Sequence, residues 1–207
     1  MKLHVQSLAA ERSSRGVFAG LDFTAEAGTL LRITGANGAG KTTLLRVLAG
    51  LGAPADGQFT WSHDTALLTP AQAACFVGHS NAFNDALTVR ENLDYVAALA
   101  DQPRTDAVAA LEALGVRALL NRRFGALSQG QKKRCSLARL LLRPSSAAAP
   151  QRRRAWLLDE PFVALDVDSQ AVLAGLMTQE LAAGGMVIYT SHQAVPIAAA
   201  NAAEVAL

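Results

Sequence analysis

Short apolar segments alternate along the chain with longer segments of helical periodicity, a pattern typical of a mainly parallel α/β sheet. Two early segments alternate apolar and polar positions and predict strands. A third, more apolar segment predicts a strand that runs into a glycine-rich loop. Apolar residues at helical spacing then predict a helix over 41–49, which Gly50 ends. The predicted strands are residues 3–8, 17–24, 29–34, 74–78, 155–158 and 186–190.

The stretch from residue 84 to residue 124 differs from the rest of the chain. Segments 89–100 and 106–114 have helical patterns, and no strand is predicted between them. We therefore expect one domain, in which residues 84–124 form a helical subdomain and residues 1–83 and 125–207 form the core with its N-terminal β subdomain.

A further helix is predicted over 128–142. It is followed by a proline-bounded loop over 144–150, which the three arginines at 152–154 extend. After the strand that ends at residue 190, we expect a short C-terminal tail.

The composition limits the class of protein. Of the 207 residues, 51% are hydrophobic and 17% are charged, so the chain can bury a core and is not disordered. No run of 18 apolar residues predicts a membrane span, and the first residues lack the apolar region of a secretory signal. A net charge of +2 does not by itself indicate a nucleic-acid or lipid partner, and two cysteines predict no disulfide framework. These features indicate a soluble, cytosolic protein with one core.

The glycine-rich loop has the pattern G-x-x-x-x-G-K-[ST] and lies between a strand and a helix, as a phosphate-binding loop requires. Glycines let backbone N–H groups turn toward phosphate oxygens, and a helix N-terminus favours an anion. Lys41 supplies a positive charge to the β- and γ-phosphates, and Thr42 supplies a hydroxyl ligand for Mg²⁺. A glycine-rich turn without a ligand is the alternative, and the order of strand, loop and helix disfavours it. The predicted nucleotide-binding residues are Gly35, Ala36, Asn37, Gly38, Ala39, Gly40, Lys41, Thr42 and Thr43.

A second motif is the apolar strand Trp156-Leu157-Leu158, which ends in the adjacent carboxylates Asp159 and Glu160. Asp159 at the end of the strand can hold Mg²⁺ through water, and Glu160 can accept a proton from an attacking water. Alone, such a pair is more typical of a helix cap with a solvated neighbour. Beside a phosphate-binding loop, the catalytic interpretation is favoured.

A third motif precedes the helix predicted over 128–142. Ser128 can cap this helix, and the same helix N-terminus can meet an anion. Taken alone, the motif is an ordinary capped helix. Its residues are Leu127, Ser128, Gln129, Gly130 and Gln131.

The phosphate loop, LSQGQ and LLDEP, in this order, resemble the nucleotide-binding subunits of ATP-binding-cassette (ABC) transporters. The segment LSxGQ separates this family from other P-loop ATPases, and the resemblance covers nearly the whole chain. It implies an α/β P-loop NTPase core with a mainly parallel sheet, antiparallel N-terminal strands and a helical subdomain. It further implies an ATPase that uses ATP and Mg²⁺, with Glu160 and His192 as catalytic residues and Thr42 and Asp159 at the metal. Residues 164–166 resemble the D-loop, which communicates across a dimer.

The resemblance also implies partners. Each ATP would lie between the phosphate loop of one subunit and residues 127–131 of a second copy. A groove between His79 and Phe83 would receive an integral membrane permease subunit. The protein would then be peripheral, on the cytoplasmic face of the inner membrane, with no nucleic acid expected.

Two departures from the family pattern bear on the site. His79 stands where most family members have a glutamine that ligates Mg²⁺, and a neutral imidazole can take over that role. Structural filling of the groove wall is the alternative for His79. Many members also stack adenine on an aromatic residue between the first two strands, where this chain has Arg12 and Arg15 instead. Either arginine can stack on the base, or the base is held weakly.

Within the family, the chain resembles the ATP-binding subunit of the cytochrome c biogenesis (haem) exporter. The resemblance rests on three short segments: Gly78-His79, residues 159–162 (DEPF) and residues 190–193 (TSHQ). Two other functions stay open, a soluble cassette ATPase that acts on nucleic acid or ribosomes and the ATPase subunit of another small ABC exporter. The basic runs at 132–134 and 152–154 would matter for the first of these, although soluble members usually fuse two cassettes in one chain. A solvated surface loop is the simpler interpretation of the second basic run.

Overall fold

The computed structural model describes residues 1–12, 15–99, 105–142, 154–192 and 195–207, with the backbone alone at 105 and 106. These residues form two compact units. The first comprises Met1–His79, Arg153–Pro161 and Ala174–Leu207, and the second comprises Ser80–Arg152 and Phe162–Leu173. The helices predicted between residues 84 and 124 belong to the second unit, together with residues 125–142. The proposed limits of the helical subdomain, 84–124, stay a prediction.

Nine strands are present in the described ranges. They are β1 (Lys2–Arg12), β2 (Arg15–Glu26), β3 (Thr29–Thr34), β4 (Asp56–His63), β5 (Ala66–Leu68), β6 (Ala74–Val77), β7 (Ala155–Leu158), β8 (Val187–Thr190) and β9 (Asn201–Ala206). They make a four-stranded antiparallel sheet in the order β2-β1-β4-β5 and a five-stranded parallel sheet in the order β6-β7-β8-β3-β9. The predicted α/β class, with a parallel sheet and antiparallel N-terminal strands, is confirmed. The strands β4, β5 and β9 were not predicted, and β9 lies in the segment expected to be a tail.

The described helices are α1 (Lys41–Leu48), α2 (Pro70–Ala73), α3 (Val89–Leu99), α4 (Thr105–Ala113), α5 (Gln129–Leu137) and α6 (Val167–Ala182). The prediction of one helix over 128–142 was wrong in its second half, where a 3₁₀ turn, Ala138–Leu141, follows α5. The helix α6 was not predicted. The predicted loop over 144–150 and the arginines at 152 and 153 lie outside the described residues.

The core of the first unit lies between its two sheets and around α1. Leu3, Val5 and Leu8 of β1 are buried there with Leu44 and Leu48 of α1. The position of α1 is also fixed by a buried hydrogen bond, because the Trp61 indole N–H donates to the Leu48 carbonyl oxygen at 3.0 Å. In the described ranges, the helices are too short or too polar to cross a membrane.

The parallel sheet determines which loops meet. Carboxyl ends of parallel strands lie at one edge, which is where ligands of open α/β sheets bind. The phosphate loop follows β3, Asp159 follows β7, Ser191 follows β8 and Gly78 follows β6. Because β8 lies between β7 and β3, one edge of the sheet receives the phosphate loop and the carboxylates side by side.

Candidate active site

The phosphate loop is held in a backbone conformation that needs glycine. Gly40, the N-cap of α1, has φ 106°, and a Cβ at this position would collide with the side chain of Val17. No side chain caps α1, so the N–H groups of its first turn remain available to an anion. Lys41 Nζ donates to the carbonyl oxygens of Gly35 at 2.8 Å and Ala36 at 3.0 Å. The ammonium group therefore lies over the loop.

Asp159 is the centre of a hydrogen-bond network. The residue is 3% exposed, and its backbone N–H donates to Val77 O at 2.8 Å. The Oδ2 atom accepts from Thr42 Oγ1 at 2.8 Å, and the Oδ1 atom accepts from Thr190 Oγ1 at 2.9 Å. Thr42 and Asp159, which the resemblance places at the metal, are thus joined by a direct hydrogen bond, and their metal role stays a prediction. Thr190 is an addition that sequence reasoning missed.

Glu160 presents an oxygen without a hydrogen bond. Its Oε1 atom is buried and accepts no hydrogen bond, although His192 Nε2 lies 3.5 Å away. We regard this contact as an ion-pair distance rather than a hydrogen bond, since it exceeds the usual N–H···O length. The backbone of Glu160 has φ 46°, a left-handed value that non-glycine residues adopt rarely and mostly at functional sites. The acceptor capacity of Oε1 is therefore not used by a hydrogen bond in the described structure, while the side chain as a whole is 19% exposed.

These groups line one cavity of about 270 Å³ in the first unit. Its lining consists of Arg12, Val17, Asn37, Gly38, Gly40, Lys41, Thr42, Thr43, Asp159, Glu160 and His192. The cavity is slightly smaller than the roughly 300–1,000 Å³ of a complete ligand pocket. Its size suits the polyphosphate part of a nucleotide.

The lining brings together nine of the thirteen predicted site residues that belong to the first unit. Gly35, Ala36 and Ala39 belong to the loop without lining the cavity. Arg12, one of the two arginines expected to stack on the base, also lines the cavity, as does Val17, which was not predicted at the site. Neither has a motif around it, and only the pairing of β1 with β2 brings them to the loop.

His79 is placed differently from the other predicted metal residues. It lies in an exposed bend two residues after β6 and is not among the residues that line the cavity. Its strand does pair with β7, Val77 opposite Leu158, so it follows the strand beside the one that bears Asp159. A metal role for His79 stays a prediction.

The chemistry of Thr42 and Asp159 fits a hard divalent cation. A hydroxyl and a carboxylate oxygen are the ligand types that Mg²⁺ prefers, and the two atoms are already 2.8 Å apart. A cation on Thr42 Oγ1 would therefore have Asp159 within reach, directly or through one water. In the described part of the chain, no group of three or more His, Cys, Asp and Glu side chains forms a metal cluster, so the remaining ligands would come from water and phosphate.

A second cavity, of about 400 Å³, lies beside the first in the same unit. Arg12, Thr42 and Thr43 line both cavities, and Arg46 and Val47 of α1 contribute to the second. No aromatic side chain is among the residues that line either cavity. Arg12 is thus the cationic side chain shared by the phosphate cavity and its neighbour.

The third motif, residues 127–131, belongs to the second unit, and we call it the signature segment. Ser128 caps α5 in a capping box, because its Oγ accepts from Gln131 N at 3.3 Å while Gln131 Oε1 accepts from Ser128 N at 3.0 Å. A Cβ at Gly130 would lie 2.8 Å from Ala164 O, so glycine is required there by the close approach of the two chain segments. The predicted capping role of Ser128 is confirmed.

The segment around Ala164 is also fixed within the second unit. Asp166 Oδ1 accepts from Ser169 N at 2.8 Å at the start of α6. Hydrogen bonds from the side chain and then the backbone of Ser169 lower the pKa of Asp166. Asp166 therefore stays ionised and caps α6.

Comparison with known proteins decides the family. The family model described as ABC transporter matches residues 18–163. The chain belongs to the ABC transporter family. The resemblance inferred from the three motifs is confirmed.

Individual relatives agree with this ABC assignment. The cytochrome c biogenesis ATP-binding export protein CcmA of Dechloromonas aromatica is 42% identical over 211 residues, covering 99% of each chain. A solved structure from Pyrococcus furiosus, described as an ABC transporter ATP-binding protein, has a TM-score of 0.79 at 25% identity and covers 99% of this chain and 97% of its own. A dimeric ATP-binding cassette solved in a post-hydrolysis state with ADP and phosphate has a TM-score of 0.75 at 19% identity, covering 92% and 88%, and shares the fold.

Proposed function

We propose that the chain is the ATP-hydrolysing subunit of an ABC transporter that serves cytochrome c biogenesis. The observation that best supports it is the cavity in which Lys41, the Thr42–Asp159 pair and the unbonded Oε1 of Glu160 converge. These are a phosphate-binding cation, a pair of oxygen ligands and a proton acceptor. The name of the relative that is 42% identical over nearly the whole length supports the narrower assignment.

The proposed reaction is phosphoryl transfer from ATP to water. The N–H groups at the start of α1 and Lys41 bind the β- and γ-phosphates, and Thr43 lies where the same helix turn meets them. Thr42 and Asp159 would hold Mg²⁺, which when bound neutralises charge that develops on the phosphoryl oxygens. Glu160 accepts a proton from the attacking water at Oε1, where no hydrogen-bond donor of the described residues competes.

His192 has a supporting role in this proposal. Its Nε2 is 3.5 Å from Glu160 Oε1, and its side chain is 57% exposed. An imidazole in this position can donate to a phosphate oxygen, or to the carboxylate once a water has bound. It lies two residues after the end of β8, beside the carboxylate.

We propose that a second copy completes the site. The cavity suits only part of a nucleotide, and the signature segment offers a capped helix N-terminus, which favours anions. Residues 127–131 of the second copy would cover the phosphates, as the family resemblance implies. Val163, 43% exposed, and Val167, 79% exposed, lie in the same unit as this segment and are apolar surface that a partner copy could bury.

We further propose an integral membrane permease as partner, docking between His79 and Phe83, which would place the protein at the cytoplasmic face of the inner membrane. Of the two basic runs that could contact nucleic acid, the run at 132–134 is a weak candidate for phosphate contacts. Lys132 Nζ pairs with Asp85 at 2.9 Å and lies 5.3 Å from the Phe124 ring centroid, and Lys133 is 5% exposed. Charges used inside the unit are poor phosphate contacts. Another small ABC exporter remains the second candidate, and co-purification with the permease would identify the system.

The proposal is tested by two variants, one expected to lose ATP binding and the other expected to lose hydrolysis while it retains binding. Lys41→Ala should weaken equilibrium binding of labelled ATP itself. Glu160→Gln should retain binding while hydrolysis falls by roughly 10²–10⁴-fold, because only the proton acceptor is lost. Glu112→Gln is the matched control, since the Glu112 side chain is 60% exposed and pairs with Arg117. Hydrolysis by Glu160→Gln at the parent rate would contradict the assigned role.

A further inference from the structure

Thr190 is a fully buried residue whose hydroxyl joins the two carboxylate residues of the site. We propose that Thr190 is a positioning residue that fixes the Asp159 carboxylate and the Glu160 backbone in the geometry needed for hydrolysis. This inference rests on the ATPase function proposed above. It concerns a residue that neither the motifs nor the roles assigned so far explain.

The two hydrogen bonds use the hydroxyl in both of its capacities. Thr190 Oγ1 donates its only hydrogen to Asp159 Oδ1 at 2.9 Å and accepts from Glu160 N at 2.9 Å. Thr190 itself is 0% exposed, so water does not replace these bonds. The hydroxyl therefore uses its hydrogen and one acceptor position on two consecutive residues.

The bond to Asp159 sets the rotation of its carboxylate. With Oδ1 held by Thr190, the other oxygen faces Thr42, from which it accepts at 2.8 Å. A hydroxyl from the first turn of α1 and a hydroxyl from the end of β8 thus hold the two oxygens of one carboxylate. Loss of the Thr190 donor would leave Oδ1 buried without its partner and free the carboxylate to rotate away from Thr42.

The bond to Glu160 acts on the backbone. Glu160 has φ 46°, a conformation that persists only where surrounding contacts hold it. The strands β7 and β8 pair as far as Leu158 opposite Tyr189. Beyond that pair, the Thr190 side chain provides the next connection between the two segments. That connection is made at the residue whose carboxylate is proposed to accept the proton.

The end of β8 is also held from its other neighbour. Arg32 of β3 donates from Nη2 to Ser191 O at 3.0 Å, one residue after Thr190 and one before His192. The chain segment that bears His192 is therefore tied to β7 through Thr190 and to β3 through Arg32. Thr190 therefore connects the segment that bears His192 to Asp159 and Glu160.

The test removes the hydroxyl while preserving shape. Thr190→Val deletes both hydrogen bonds in a nearly isosteric side chain, Thr190→Ser keeps the hydroxyl, and Thr29→Val is the matched control. Thr29 is likewise buried in the first unit, at 9% exposure, and its hydroxyl accepts a long hydrogen bond of 3.3 Å from Glu26 N. It is the first residue of β3, at the end of the strand opposite to the phosphate loop. Each variant is prepared as the full chain and checked by thermal unfolding. If Thr190→Val does not fold, Thr190→Ala makes the same deletion.

Three measurements are made: kcat and KM for ATP, the ATP affinity in EDTA, and the Mg²⁺ concentration needed for half-maximal ATP binding. For Thr190→Val we expect kcat to fall about 10–100-fold, as for other groups that orient metal-site ligands, with a higher Mg²⁺ requirement and unchanged affinity in EDTA. Thr190→Ser and Thr29→Val should remain close to the parent.

A folded Thr190→Val with the parent's kcat and Mg²⁺ dependence would overturn the inference. So would a Thr190→Ser variant as slow as Thr190→Val, since the methyl group rather than the hydroxyl would then matter. A parent chain that does not hydrolyse ATP in the same assay contradicts the proposed function instead, so the two failures are distinguishable.

Discussion

Arg12 lies at the end of β1, where the phosphate cavity and the neighbouring cavity share part of their lining. A planar guanidinium can stack on a purine ring, and cation–π contacts are worth about 0.5–2 kcal/mol depending on burial. We predict that Arg12→Ala raises the dissociation constant for ATP by roughly two- to thirtyfold, the equivalent of that free energy. Titration of each variant with a labelled ATP analogue checks the value.

Arg15 provides the matched control for this prediction. It is exposed at the start of β2, opposite Arg12 in the sheet, but lines neither cavity. Arg15→Ala should therefore bind ATP as the parent does. Equal weakening by both substitutions would indicate a general charge effect, and weakening by Arg15→Ala alone would reverse the assignment.

The residues that could be predicted from the sequence are those whose role depends on their immediate neighbours. Gly40, Lys41 and Thr42 sit in one short string, and Asp159 and Glu160 are adjacent, so local spacing determines their chemistry. Thr190 was not predicted as a site residue, and Arg12 was predicted only as an alternative to Arg15 for stacking on the base. Their roles depend on which strands are neighbours in the sheets, and no spacing along the chain records that order.

At the level of an element, the start of α1 gives a sharp prediction for Gly40→Ala. The φ of 106° is unfavourable for alanine, and its Cβ would collide with Val17 of β2. We expect the free energy of unfolding to fall by about 1–3 kcal/mol, the usual magnitude for such backbone strain, and ATP binding to weaken. Gly16→Ala, also a glycine-to-alanine change and with no atom within 4 Å of the added Cβ, should do neither. Chemical denaturation and ATP titration of both variants supply the comparison.

The helices and strands that were not predicted differ in how strongly the sequence pattern indicates them. The helix α6 buries Leu173, Met177 and Leu181 at helical spacing, so a signal was present and was missed. The strand β9 has the sequence NAAEVA and is mostly exposed, and only its pairing with β3 makes it a strand. The strand β4 begins with Asp56-Gly57, a turn-like pair, and its pairing with β1 outweighs this local preference.

At the scale of the whole molecule, each compact unit contains one part of the proposed site. The first unit has the phosphate cavity with Lys41 and Glu160, and the second has the capped helix that begins after Ser128. Under the proposed function, ATP is the ligand common to the cavity of one copy and the signature segment of another. ATP then favours the dimer because it binds two surfaces at once, and hydrolysis removes the group that joins them.

This predicts an association that depends on ATP and on both units. Two chains that associate lose translational and rotational freedom, which costs several kcal/mol of free energy. Without nucleotide, contacts between the two protein surfaces must offset this cost by themselves. We therefore expect the full chain to be mainly monomeric without nucleotide, and Glu160→Gln to form a stable dimer with ATP and Mg²⁺, measured by sedimentation velocity. Adding Ser128→Arg to Glu160→Gln should abolish that dimer, because a bulky side chain would occupy the space proposed for phosphate. Ser62→Arg, on the strand β4 of the first unit, is the control and should leave the dimer intact. A dimer that forms equally without ATP, or that tolerates Ser128→Arg, would contradict the shared site.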